Sequence, residues 1–344
     1  MLRSDFLLRF FTGIPFLKKA EALLPSTIFS ETGSCVQPPF LQKGDQIGIP
    51  SPAGYMFPEE LVPAMRLMES WGFRTVPGKG IGQQWGNMGG QDLMRKNDFQ
   101  EMLDNPEIKA ILCARGGYGL IRFIDKLDFS AFRRHPKWII GFSDITVLHA
   151  HLNKQVRAAA IHAKMCNSIP AALADADPDV RKSILALRPL LTGERIPYDG
   201  PMHPANVPGK VRGELVGGNL SVLYGMIGSV SMPSTRGKIL FLEDAGEYLY
   251  HYDRMCWSLE RAGIFKGLAG LILGGFRVKP SEDPKEEFPL SLPDIMLEKV
   301  KKYHFPVAFD FPIGHQKYNM PLKCGAVHEL VVTQNGSRLQ EILL

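Results

Sequence analysis

From Gln42 onward, short apolar runs alternate with segments of helical period, the pattern of a parallel sheet whose strands are joined by crossover helices. Residues 46–50 read as a first strand that ends in Ser51-Pro52-Ala53-Gly54. Leu61, Ala64, Met65, Leu67, Met68 and Trp71 then recur at spacings of three and four, predicting an amphipathic helix that Gly72 stops, with Pro63 suited only to its first turn. A strand over 73–76, a glycine-rich loop over 78–90 and a helix over 92–103 follow. Residues 109–114 form a continuous apolar strand, and the chain then offers 120–127 as helix, 138–140 as strand and 144–152 as helix.

The stretch 168–208 carries seven prolines and polar clusters around one helical segment, 179–187, and is expected to connect two domains. The register then changes: 210–215, 237–242, 270–273, 307–311 and 329–333 are strand-like, Asn335-Gly336 signals a hairpin, and helices are predicted over 250–262 and 292–303. The expected division is an extension (1–38), a nucleophile domain (39–167), a linker (168–208) and a β-rich carboxyl-terminal domain (209–344).

Composition narrows the class. With 344 residues and 45% hydrophobic content the chain can bury a large core, so it is globular. The net charge of +5 comes without a run of five basic residues, so no nucleic-acid partner is expected. No stretch of 18 consecutive apolar residues occurs, which predicts a soluble chain without membrane insertion. Cys35, Cys113, Cys166, Cys256 and Cys324 are widely spaced, mostly in apolar runs, and read as reduced thiols, Cys35 as a linker cysteine. Residues 1–38 are read either as a degraded twin-arginine export signal, around Arg3-Ser4-Asp5-Phe6-Leu7-Leu8, or as a frayed amphipathic arm. The expected compartment is the cytoplasm, or the periplasm if that segment acts in export.

Four segments can carry chemistry. In Gly141-Phe142-Ser143-Asp144 an apolar strand stops at glycine, a serine sits at the turn and a helix begins. A hydroxyl there lies at the strand's carboxyl end beside free helix amides, which suits a nucleophile; a plain helix cap is the alternative. Ile145 stands where the Gly-x-Ser-x-Gly elbow has its second glycine. Arg115-Gly116-Gly117-Tyr118-Gly119 also ends a strand and can cradle an oxyanion or phosphate, or simply turn the chain; it lacks nucleotide-binding spacing. Glu243 and Asp244 end a strand on opposite faces, so at most one reaches a shared site while the other caps or meets solvent. Gly314-His315 places an imidazole at a turn. His149 and His151, two apart on a helix, cannot clamp one metal, and His162, His251 and His328 have no acidic or cysteine neighbour pattern and are expected to be satisfied or at the surface. Neither a metal nor a cofactor is expected.

The order Arg-Gly-Gly-Tyr-Gly, Gly-Phe-Ser-Asp, Gly-Gly-Asn-Leu, Leu-Glu-Asp and Gly-His resembles the serine LD-carboxypeptidases of bacterial murein recycling, a family that includes the microcin C self-immunity peptidases. The likeness spans about residues 40–342. It implies a Rossmann-like amino-terminal domain with a smaller β-rich α+β carboxyl-terminal domain, a cleft between them, and a homodimer. It further implies Ser143 as nucleophile, Glu243 as orienting carboxylate, His315 as base, the amides of Gly117 and Asp144 as oxyanion hole, and Arg115, Gly116 and Tyr118 beside a murein-derived peptide.

Two positions depart from the family pattern. A common His-Gly-Pro-Met stretch reads His162-Ala163-Lys164-Met165 here, which adds a cation near the expected cleft, and Phe142 replaces a polar residue before the serine. Lys164 is expected either to meet a substrate carboxylate or to be solvated. Release of a terminal D-alanine from murein tetrapeptide is the leading expectation. Hydrolysis of a peptidyl or aminoacyl nucleotide, and non-catalytic binding of an anionic ligand at residues 115–119, are the alternatives.

Overall fold

The computed structural model describes residues 35–342 apart from 284 and 286. The expectation for an export signal or arm therefore lies outside the described residues, except at its last positions. There Val36 bridges to Ala158, and Cys35 is no linker residue: it is buried, with its thiol against Glu214 and Asn153. All five cysteines are buried and unpaired.

The first sheet grows from β1 (Gln46–Ile49), β2 (Arg74–Pro77), β3 (Ile108–Leu112), β4 (Trp138–Gly141) and β5 (Ala160–His162). All are parallel, and the crossovers between them include α1 (Pro58–Ser70), α2 (Asp92–Asp104), α3 (Ser130–Arg134) and α4 (Thr146–His151). Helices alternate with apolar strands because the inner strands, such as β1, β4 and β5, are covered on both faces, whereas the edge strand β2 is partly exposed. Thus Ile139 packs into one core and Ile140 into another on the opposite side. Pro63 lies one turn deeper in α1 than expected, because the helix begins at Pro58. The helix predicted over 120–127 is instead two single 3-10 turns, Leu120–Arg122 and Ile124–Lys126, broken at Phe123.

Residues 168–208 contain α5 (Pro178–Leu185), α6 (Leu187–Leu191) and β6 (Tyr198–Gly200). Ile184, Leu187, Leu190 and Leu191 pack under the first sheet, and β6 joins the second. That second sheet holds β7 (Gly209–Asn219), followed by α7 (Leu220–Gly225), then β8 (Ile239–Glu247), α8 (Leu249–Arg261), β9 (Gly270–Val278), α9 (Leu292–Val300) and β10 (Val307–Ala308). Strands β7 to β10 are parallel neighbours. After them, β11 (Leu322–Cys324), β12 (Val327–Thr333) and β13 (Gly336–Glu341) complete the chain. β12 and β13 extend the second sheet antiparallel, whereas β11 crosses back and pairs antiparallel with β5 at the edge of the first. One core runs through both sheets, joining Ile111 and Ile139 to Val216, Leu240 and Leu273 through α4, α7 and α8. No helix among the described residues is long and apolar enough to cross a membrane.

Candidate active site

The carboxyl ends of β4 and β8 carry the two halves of the site. β4 stops at Gly141, where a Cβ would lie 2.7 Å from Ile145 Cγ1. Two residues on, Ser143 takes φ +62, the left-handed region that L-residues other than glycine seldom enter. Strain of this kind persists only where the surroundings fix it, and it is concentrated at functional turns. The next carboxylate, Asp144, does not face solvent: it accepts the Leu120 N–H at 2.9 Å, and burial pushes its carboxyl up to about 6. That bond ties the serine turn to the glycine-rich loop.

The loop itself presses on the serine. A Cβ on Gly116 would lie 2.8 Å from Ser143 Cβ and 3.0 Å from its Oγ, so only glycine fits there. The Gly116 carbonyl accepts the Gly54 N–H at 2.9 Å, which joins the turn after β1 to the same corner, and Gly117 follows at φ +115. Arg115 donates to the Tyr55 carbonyl and covers the Tyr55 ring. Tyr118 is carried outward, 48% exposed.

On β8, Ile239, Phe241 and Glu243 share one face, and Leu240, Leu242 and Asp244 the other. Asp244 therefore caps: it accepts the Ser221 N–H at 2.8 Å and the Asn219 side chain at 3.0 Å at the start of α7, and burial pushes it up to about 6. Glu243, fully buried, reaches the His315 turn instead. His315 Nδ1 lies 2.5 Å from Glu243 Oε2. The turn is fixed by Asn319, whose Oδ1 accepts the Gly314 N–H at 2.8 Å, and by the Gly275 N–H, which donates to the Ile313 carbonyl at 2.8 Å. Gly314 leaves no room for a side chain against Glu243.

The halves meet at Phe142, whose ring centre is 4.9 Å from that of His315. Asn219 strengthens the junction by donating its backbone N–H to Thr146 Oγ1 at 3.0 Å. Ser143 Oγ makes no side-chain hydrogen bond among the described residues, to His315 or to any other group. Lys164 reaches the same corner and donates to the Gln316 carbonyl at 3.4 Å.

Residues 47–163 match the LD-carboxypeptidase N-terminal domain and residues 212–330 the LD-carboxypeptidase C-terminal domain. The chain belongs to the LD-carboxypeptidase family. A Bacillus subtilis protein named a probable murein peptide carboxypeptidase is 35% identical over 84% of this chain and 90% of its own length. A murein tetrapeptide carboxypeptidase of Pseudomonas aeruginosa is 28% identical over 86% of this chain and 94% of its own. The crystal structure of a muramoyltetrapeptide carboxypeptidase from Oxalobacter formigenes superposes with a TM-score of 0.75 at 27% identity, covering 86% of this chain and 98% of that one.

Sequence reasoning missed several residues that support this corner of the LD-carboxypeptidase chain. Arg95 is 1% exposed and donates to the carbonyls of Gly90 at 3.0 Å and Pro52 at 2.6 Å and to Asp92 at 2.5 Å, pinning the loops that surround Gly116. Asp98, one turn on, accepts the N–H groups of Lys79 at 2.8 Å and Gly80 at 3.1 Å. On α2 these polar residues face inward, against the usual pattern, so hydrophobic periodicity could not find them. His162 is neither at the surface nor satisfied: it is fully buried between Phe142 and Phe241, without a hydrogen-bond partner among the described residues, and burial holds its ring well below the usual range. His251, read as lacking an acidic neighbour, contacts Glu247 at 2.5 Å across the β8–α8 turn.

Proposed function

We propose that this chain is a serine peptidase that releases the terminal D-alanine of murein tetrapeptide through an acyl-enzyme on Ser143, with His315 as base and Glu243 as its orienting carboxylate. The observation that carries the reading is the pairing of the buried Glu243 with the partly exposed His315, 2.5 Å across, with the His315 ring against Phe142, next to the strained Ser143. Glu243 accepts a hydrogen bond from the Nδ1–H and so keeps the proton there, which leaves Nε2 as the basic nitrogen. His315 takes the Ser143 proton as Oγ attacks the carbonyl before the terminal residue, then gives it to the departing amine; water resolves the ester by the same path. The amides of Gly117 and Asp144 stabilise the oxyanion, each worth roughly 3 kcal/mol by analogy with other hydrolases. Hydrogen bonds between base and nucleophile are often long in unliganded enzymes and tighten around substrate, and the Ser143–His315 hydrogen bond forms in this way.

The proposal includes a homodimer, the cytoplasm as compartment, and the division of the chain at 39–167 and 209–344. A solution mass near the 38.3 kDa of one chain would remove the dimer. The deciding experiment is incubation with a murein tetrapeptide and with its stereoisomer bearing an L-terminal residue. Release of D-alanine from the first alone supports the reading. Release from neither, together with hydrolysis of a peptidyl or aminoacyl nucleotide, would replace it.

A further inference from the structure

Beyond β5 the chain runs Ala163-Lys164-Met165 across the ends of the first sheet's strands. Met165 packs toward Gly116 beside Ser143, while Lys164 Nζ reaches the carbonyl of Gln316, the residue after His315. The ammonium thus sits against the turn that carries the imidazole.

Its environment is unusual for a half-buried cation. Among the described residues no carboxylate lies within 4.0 Å of Nζ, and its one hydrogen bond is long, 3.4 Å, to a neutral carbonyl. Other buried lysines here are fully served: Lys323 holds Glu341 at 2.9 Å, and Lys137 donates to three carbonyls at 2.6 to 3.0 Å. Burial lowers the proton affinity of Lys164 with no counter-charge to restore it. A partly desolvated ammonium with spare donors is matched by an anion.

The direction of the reaction says which anion. The group that gives its proton to the departing amine must stand beside the departing residue. With His315 in that role, the departing residue lies on the side of the Gln316 carbonyl, and in a substrate cut at its last bond that residue carries a free carboxylate. We propose that Lys164 Nζ binds the terminal carboxylate of the departing amino acid and so confines cleavage to chain ends. The inference rests on the Ser143–His315 reading of the site.

The test compares a murein tetrapeptide with its carboxyl-terminal amide, the same peptide without the terminal charge. In Lys164→Met, kcat/KM for the free acid is expected to fall about 10- to 100-fold while that for the amide is unchanged, and Lys164→Arg should keep most of the preference. An equal fall for both peptides, or none, would overturn the assignment, and an equal fall would point to a structural role or to a carboxylate on the acyl side. Calorimetry on Ser143→Ala separates this from the hydrolysis reading. If the wild-type chain cleaves neither peptide but Ser143→Ala binds the acid more tightly than the amide, and Lys164→Met abolishes that difference, the carboxylate site stands without the reaction. Equal binding of both peptides, or binding of neither, would remove it.

Discussion

Glu243 meets His315 from a strand position with no exposed surface, while the imidazole it holds keeps 17% of its side chain exposed. One partner is anchored in the core and the other is presented. Replacing the anchor with a neutral isostere keeps the shape and changes the tautomer, since an amide can donate to Nδ1. Glu243→Gln is therefore expected to lower kcat on the order of 10⁴-fold. Steady-state kinetics on the tetrapeptide, with circular dichroism to confirm the fold, would check this; activity within tenfold of wild type would refute it.

The left-handed backbone at Ser143 separates function from stability. Both Ser143→Ala and Ser143→Gly should lose turnover, by about 10⁴ to 10⁶ in kcat. Only glycine relieves the backbone, so Ser143→Gly is expected to be more stable than Ser143→Ala by about 1 kcal/mol. Urea unfolding of the two variants measures the difference, and a more stable alanine variant would mean that the turn stores no strain.

Asp144 gives a pH signature. Burial raises its carboxyl from 3.8 to about 6, so the folded chain binds this proton more tightly than the unfolded one. Its contribution to stability is full below the unfolded value and is lost as pH rises through the folded one. Two pH units correspond to roughly 3 kcal/mol. Asp144→Asn keeps an acceptor for the Leu120 N–H but cannot ionise. Unfolding free energies at about pH 4 and pH 7 should show the variant gaining on wild type by roughly that amount. A difference that does not move with pH would contradict the account.

Arg95→Met should cost roughly 3 kcal/mol, because it strips the donors from the buried Gly90 and Pro52 carbonyls and leaves Asp92 with Arg122 alone. Arg95→Lys should rescue little of this, since one ammonium cannot reproduce a planar fork. Thermal unfolding of both variants decides the point.

The legible parts of the sequence were those governed by local pattern. Apolar runs marked β3 and β4, the alternation of β8 put Glu243 and Asp244 on opposite faces, and the short motifs marked the turns that carry Gly116, Ser143 and His315. What escaped depends on partners supplied from elsewhere. β5 and β11 are three residues each, too short for any period, and are strands only because they pair with β4 and with each other. The polar face of α2 looks solvated until the loops that Arg95 and Asp98 hold are folded against it.

The return of β11 to the first sheet has a consequence for how the polypeptide is made. A ribosome releases β1 to β5 long before Leu322–Cys324, the segment that covers the open side of β5. Until about 160 further residues have emerged, that edge offers bare N–H and C=O groups to any passing strand. A fragment ending before Leu322 should therefore tend to clump, and the two halves are better regarded as one inseparable folding unit than as interchangeable modules.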